Sequence, residues 1–145
     1  METDQKDVKK LEKAAKKAME NSYTTVYGFP VGASVLTSSG EIYSGCVVDG
    51  MVNGNGTCAE QNAITSAVSN GEYSFKAVYV TAEKSDSIRP CGNCLQFIAE
   101  FAKLAENNTE IIMDRNGENE LQKINEILPE TVNPRNLDKD IEEYI

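Results

Sequence analysis

Histidine is missing from all 145 residues. That absence excludes every Ser-His or Cys-His dyad, every His-ligated metal site and every His general base. Acid–base chemistry must come from Glu, Asp, Lys, Tyr or Cys, and a transition-metal site must draw on cysteine. Basic side chains are also few, 14 against 23 acidic ones, for a net charge of −9. Residues 106–145 alone hold 11 of the acids and 4 of the bases. Such a chain offers no electrostatic footprint to a nucleic-acid backbone or an anionic membrane. Long apolar runs are lacking too; none approaches the roughly 18 residues that a membrane span needs. The opening METDQKDVKK has no apolar core of the kind a secretory leader carries, so a cytoplasmic location is expected. In a reducing compartment, four clustered cysteines mean metal binding or catalysis more often than disulfides.

No internal repeat, low-complexity segment or Pro/Gly/Ser linker divides the chain. We expect one domain over residues 1–145, with 136–145 as an acidic C-terminal tail. Val8, Leu11, Ala15, Ala18 and Met19 recur at helical spacing and predict a helix over 6–20. Lys9, Lys10, Lys13, Lys16 and Lys17 then form its solvated face. Val31–Thr37 and Ile42–Val48 read as strands joined by Ser38-Ser39-Gly40. Thr57 is the expected N-cap of a helix over Cys58–Ser69, which Asn70-Gly71 closes. Phe75–Ala82 reads as a buried strand and Cys91–Ala105 as a second core helix. Ile111–Met113 is a short strand, turned by Asp114-Arg115-Asn116-Gly117 into a last strand at 119–124 that Ile127-Leu128-Pro129 ends. A short helix is expected near Leu137–Tyr144. The order α-β-β-α-β-α-β-β predicts an α/β fold, a three-layer α/β/α sandwich around a mixed five-stranded sheet.

Two segments carry chemistry: Cys58-Ala59-Glu60 and Pro90-Cys91-Gly92-Asn93-Cys94. Both fall at expected helix N-termini, where the helix dipole favours thiolates. Three thiolates from two helix starts can converge on one ion. Three protein ligands leave a fourth tetrahedral position for water, the pattern of catalytic rather than structural zinc. Glu60 lies two residues after a ligand, close enough to reach that position without binding the metal. Other readings stay open at this point. Cys91 and Cys94 are spaced like a redox pair, and Cys46 is a candidate fourth ligand of a non-catalytic zinc site. Cys46 also fits as a small buried apolar residue in a strand.

The Cys-x-Glu and Pro-Cys-x-x-Cys pair is the signature of zinc deaminases. The chain resembles the cytidine deaminase family, in its small three-cysteine, homotetrameric branch. The resemblance spans roughly residues 8–134. Its segments are FPVGA at 29–33, CAE at 58–60, PCGNC at 90–94, Gln96 and EILP at 126–129. It implies zinc held by Cys58, Cys91 and Cys94, with Glu60 as the proton shuttle of a hydrolytic deamination. Backbone amides around Ala59 and Cys91 are natural donors to the substrate. Phe29, Val47, Asp49, Ala59 and Pro90 are the implied substrate-binding positions, although Phe29 reads equally well as core. Ala63, Ala67, Ala99 and Ala102 would allow close subunit packing, and small core contacts explain them as well.

Some positions depart from the family's pattern. Val47 and Asp49 stand where the family has an Asn-x-Glu that binds the ribose, and valine cannot hydrogen-bond a hydroxyl. Gln61 and Leu95 replace the arginines that often follow the Glu and the last Cys, leaving an electron-rich site. Val132 occupies the place of an aromatic that packs on a neighbouring subunit. Gly50–Gly56 keeps the loop length with Gly and Asn in it, and is read as a reshaped pocket wall. The expected activity is deamination of cytidine or deoxycytidine to the uridine product and ammonia, in pyrimidine salvage. The alternatives are deamination of another aminated heterocycle, such as a blasticidin S-like antibiotic, and zinc binding without catalysis. A nucleic-acid-editing enzyme is disfavoured by the charge.

Overall fold

The computed structural model describes residues 2–83, 88–136 and 140–145. Asp4 starts α1 (Gln5–Met19) by accepting the Asp7 N–H at 2.8 Å, while Lys16 and Lys17 complement the dipole at its end. Val8, Leu11 and Ala15 form the buried face, and the five lysines of the predicted solvated face are all exposed.

β1 (Val31–Thr37) turns through Ser38–Gly40 into β2 (Ile42–Cys46). Next come α2 (Ala59–Ser69), β3 (Phe75–Ala82), α3 (Gly92–Leu104), β4 (Glu110–Arg115) and β5 (Glu118–Lys123). One short turn, α4 (Ile124–Ile127), follows, with 3-10 turns at Pro134–Asn136 and Glu142–Tyr144. The sheet order is β2-β1-β3-β4-β5. β3 and β4 are parallel, connected through α3, and the other pairs are antiparallel. The mixed five-stranded sheet of the sequence reading is therefore present.

The pleat divides the core in two. Val31, Ala33 and Val35 of β1 pack with Val78, Val80, Ile111 and Met113 under α2 and α3. Leu36, Ala77, Tyr79 and Ile112 face the other way, against Val8, Leu11 and Ala15 of α1. This alternation is the period-two signature of strands covered on both faces. Ala63, Ala67, Ala99 and Ala102 all lie in the first of these cores, so small core contacts account for them.

Two glycines let helices approach the sheet at backbone distance. A Cβ on Gly32 would sit 2.0 Å from the Ala15 carbonyl oxygen of α1. A Cβ on Gly45 would sit 2.5 Å from the Ala63 nitrogen and 2.8 Å from the Ala59 oxygen of α2. The second contact matters for function, because it presses the N-terminal half of α2 onto β2.

Several boundaries differ from the sequence reading. β2 stops at Cys46 rather than Val48, because the chain leaves the sheet there: Val48 and Thr57 exchange both backbone hydrogen bonds, at 3.0 and 2.8 Å. That exchange commits Thr57 to an extended bridge, and Cys58 becomes the N-cap of α2 in its place. Cys91 likewise caps α3 instead of lying inside it. The first strand of the last hairpin is longer than Ile111–Met113, and Asn116 and Gly117, both at positive φ, make its turn. Ile124 begins α4 rather than ending β5. Near the C-terminus only Glu142–Tyr144 is helical among the described residues; 137–139 of the expected helix lie outside them.

Candidate active site

Cys58, Cys91 and Cys94 come together, their Sγ atoms all within 4.8 Å of one another. The local chain explains why. Cys58 and Cys91 are N-caps with extended backbones, at φ −77° and −70°. Cys94 is in the first turn of α3, buried, with its N–H donated to Cys91 Sγ at 3.5 Å. Two helix starts thus aim three sulfurs at one point, with the positive ends of both dipoles behind them. Cys46 is not part of this cluster. It is half-buried at the end of β2 rather than fully buried, and its carbonyl accepts the Asn62 side-chain amide at 2.8 Å.

Burial pushes the Cys58 and Cys94 thiols up, and the neighbouring Glu60 carboxylate pushes the same way. Burial also raises the Glu60 carboxyl, 5% exposed, against its own backbone N–H and the Cys94 thiol, which pull it down. Burial beside a carboxylate thus disfavours the thiolate form without a cation, whereas a soft divalent ion stabilises thiolates outright. The donor set therefore fits zinc: three cysteine sulfurs from two helix starts, with a separate buried carboxylate alongside. Gln61 turns back instead of facing the sulfurs; its Oε1 accepts the Cys58 N–H at 3.4 Å and completes the start of α2.

A cavity of about 140 Å³ opens on the cluster, lined by Val31, Val47, Cys58, Ala59, Glu60, Ile88, Arg89 and Cys91. A second, of about 280 Å³, adjoins it at Val47 and Cys58. Its wall includes Tyr27, Val48, Asp49, Val52 and the Gly/Asn loop, through Gly50, Asn53, Gly54 and Gly56. The loop read as a reshaped pocket wall does line a cavity. Val47 and Cys58 line both spaces, and Asp49 belongs to the distal one.

The other implied binding positions are less directly placed. Ala59 lines the inner cavity. Phe29 is half-buried against the main core, and Pro90 is buried beside Cys91; neither lines these two cavities. Asp49 is only 8% exposed, and its Oδ2 accepts the N–H groups of Val26 at 3.1 Å and Tyr27 at 2.8 Å. Tyr27 and Arg89 are cavity residues that the sequence reading missed. Tyr27 had no local signal, since the 23–27 loop reaches the site only through contacts distant in sequence: Tyr23 exchanges backbone hydrogen bonds with Val47 and Asp49 at 3.0 and 2.7 Å, and the Asp49 carboxylate takes the Val26 and Tyr27 N–H groups.

The family model for the cytidine and deoxycytidylate deaminase zinc-binding region matches residues 5–112. The chain is similar to a cytidine deaminase of Sporosarcina psychrophila, 45% identical over 95 residues, covering 66% of this chain and 70% of that one. It is also similar to the blasticidin-S deaminase of Bacillus cereus, 33% identical over 107 residues, covering 68% of this chain and 74% of that one. Among solved structures, cytidine deaminase from Burkholderia pseudomallei superposes with a TM-score of 0.77 at 31% identity, covering 86% of this chain and 98% of that one. On the match over residues 5–112 and the likeness of fold, the chain belongs to the cytidine and deoxycytidylate deaminase zinc-binding family.

Proposed function

We propose that the chain is a zinc-dependent hydrolytic deaminase of cytidine and deoxycytidine, with Cys58, Cys91 and Cys94 as zinc ligands and Glu60 as the proton shuttle. The observation that carries this reading is the buried Glu60 beside three converging sulfurs, with Glu60, Cys58 and Cys91 lining one cavity. Zinc, when bound, supplies a Lewis acid that brings the pKa of water toward about 7.

Glu60 takes a proton from the attacking water and gives it to the ring nitrogen beside the reacting carbon. The water oxygen adds to that carbon. Glu60 then carries the second water proton to the exocyclic amine, the C–N bond breaks and ammonia leaves, so one carboxylate serves as base and then as acid. The apolar lining, Val31, Val47 and Ile88, keeps bulk water from the ring and strengthens these polar contacts. The N-terminal amides of α2 and α3, around Ala59 and Cys91, are aimed where negative charge develops. Phe29, Asp49 and Pro90 act on the substrate through the surfaces they support.

A second reading is favoured by one observation. Val47 offers the substrate no hydrogen bond at the junction of the two cavities, which suits a nucleoside antibiotic of the kind named in the Bacillus cereus relative. Ammonia release measured over cytidine, deoxycytidine, cytosine and blasticidin S tests both readings. Turnover of cytidine or deoxycytidine carries the first; turnover of blasticidin S alone replaces it with the second; turnover of none removes both.

We read residues 1–145 as one domain that works in the cytoplasm, in pyrimidine salvage, where cysteines stay reduced. A homotetramer fits the same reading. Tyr27, Val48 and Val52 are large apolar residues exposed in the lining of the distal cavity, and their chain neighbours Val26 and Met51 are exposed as well, a surface that a neighbouring subunit would cover.

A further inference from the structure

The sulfur cluster is a statement about how two helices sit relative to each other. Cys58 caps α2, whereas Cys91 and Cys94 begin α3. Backbone contact at Gly45 fixes α2 on the sheet. Beside α2, α3 has backbone neighbours in the α4 turn and the Pro134–Asn136 turn. Segment 131–136 grips α3 at two levels. Two residues beyond Cys94, the Gln96 side chain donates to the Val132 carbonyl at 2.7 Å and accepts the Thr131 hydroxyl at 2.6 Å. At the far end, Arg135 donates from Nε to the Lys103 carbonyl at 3.0 Å and from a terminal nitrogen to the Leu104 carbonyl at 2.8 Å. Arg135 also pairs with Glu106 at 3.6 Å.

The Arg135 bond to Leu104 satisfies a carbonyl that the helix end otherwise leaves open, and its bond to Lys103 adds a second donor to a carbonyl that already accepts the Glu106 N–H at 3.3 Å. The two grips are about two helical turns apart, so they oppose sliding as well as tilting of α3. Asn133, 9% exposed, keeps the segment in shape: its side chain donates to the Thr131 carbonyl at 3.2 Å and to Asn136 Oδ1 at 2.7 Å, and accepts the Arg135 N–H at 3.1 Å. None of these side chains lines the cavities at the cluster. Their effect on the site must pass through the helix.

We propose that segment 131–136 is a clasp that sets where α3 presents Cys91 and Cys94 to zinc, and that Gln96 and Arg135 are positioning residues for the metal centre. The proposal rests on the zinc reading above. Zinc–sulfur bonds are short, about 2.3 Å, and tolerate little displacement of one helix start against the other.

The test uses the full-length zinc protein and its Gln96→Ala, Arg135→Ala and Thr131→Val variants. Zinc transfer to a chromophoric chelator gives the release rate, and cobalt substitution gives the thiolate–metal absorption bands. The clasp predicts zinc release faster by about tenfold in Gln96→Ala and Arg135→Ala, the low end of what outer contacts contribute to metal affinity. It also predicts shifted cobalt bands at unchanged helix content, and a smaller effect in the same direction in Thr131→Val. Release rates within about twofold of the parent, with the parent's cobalt spectrum, overturn it even if melting temperatures fall. Thr131→Val removes one surface hydroxyl and keeps the test open should the larger changes prevent folding. A parent protein that takes up no zinc overturns the zinc reading, and the clasp with it; a parent that holds zinc beside indifferent variants overturns the clasp alone.

Discussion

Asp49 holds Tyr27. The carboxylate oxygen Oδ2 accepts the Tyr27 N–H at 2.8 Å across 22 residues of sequence, and the adjacent Val26 N–H at 3.1 Å. An acidic side chain lining the distal cavity thereby ties down Tyr27, another residue of the same lining. Hydrogen bonds to a charged group contribute about 1.5–3 kcal/mol in favourable settings. Asp49→Ala is therefore expected to cost about 2 kcal/mol in urea denaturation. It should raise KM more than it lowers kcat, because Glu60, the proposed proton shuttle, is untouched. Asp49→Asn retains an acceptor oxygen and should lose about half as much stability.

Glu60→Gln keeps the size of the side chain and removes its ability to take a proton. Its kcat is expected to fall by about 10²–10⁴-fold. Metal analysis should still find zinc in the variant. Loss of zinc along with activity would instead make Glu60 a structural part of the metal site.

Cys58 and Cys91 are both N-caps and, in the proposed function, also sulfur donors to zinc. Serine is a strong N-cap but a poor soft-metal ligand. Cys58→Ser and Cys91→Ser should accordingly keep their helices in circular dichroism while zinc content drops well below that of the parent. Chelator treatment of the parent should abolish turnover, and zinc alone should restore it. Full activity after chelation would contradict the metal assignment.

Gly45→Ala puts a methyl group 2.5 Å from the Ala63 nitrogen, where only backbone atoms are available to move. Overpacking of this kind costs about 1–3 kcal/mol. The displacement is borne by α2, so zinc affinity should weaken together with stability. A variant that melts lower but binds zinc like the parent would show that the sheet, not the helix, yields.

The metal centre was readable because its residues sit in two short segments whose spacing and helix-start placement are local properties. Cys58, Glu60, Cys91 and Cys94 meet in space for the reasons that their neighbours in sequence suggest. The strands were equally plain, since Val31–Thr37 and Phe75–Ala82 are largely apolar and buried on both faces. Helix starts were misplaced by one residue where cysteine, a weak capping residue, took the role expected of Thr57. The remainder was hidden because it depends on distant contacts. Nothing near Asp49 announces Tyr27 as its partner, and nothing in Gln96 or Arg135 indicates that they grip opposite levels of one helix.

Gly45 has a consequence for how variation in this chain should be read. Surveys that rank positions by reactive groups will weight the cysteines and Glu60 and give this residue no role. Yet the position admits a hydrogen and nothing larger without moving α2. Part of the catalytic specification is thus written as an exclusion: it is inherited through a side chain that must never be added.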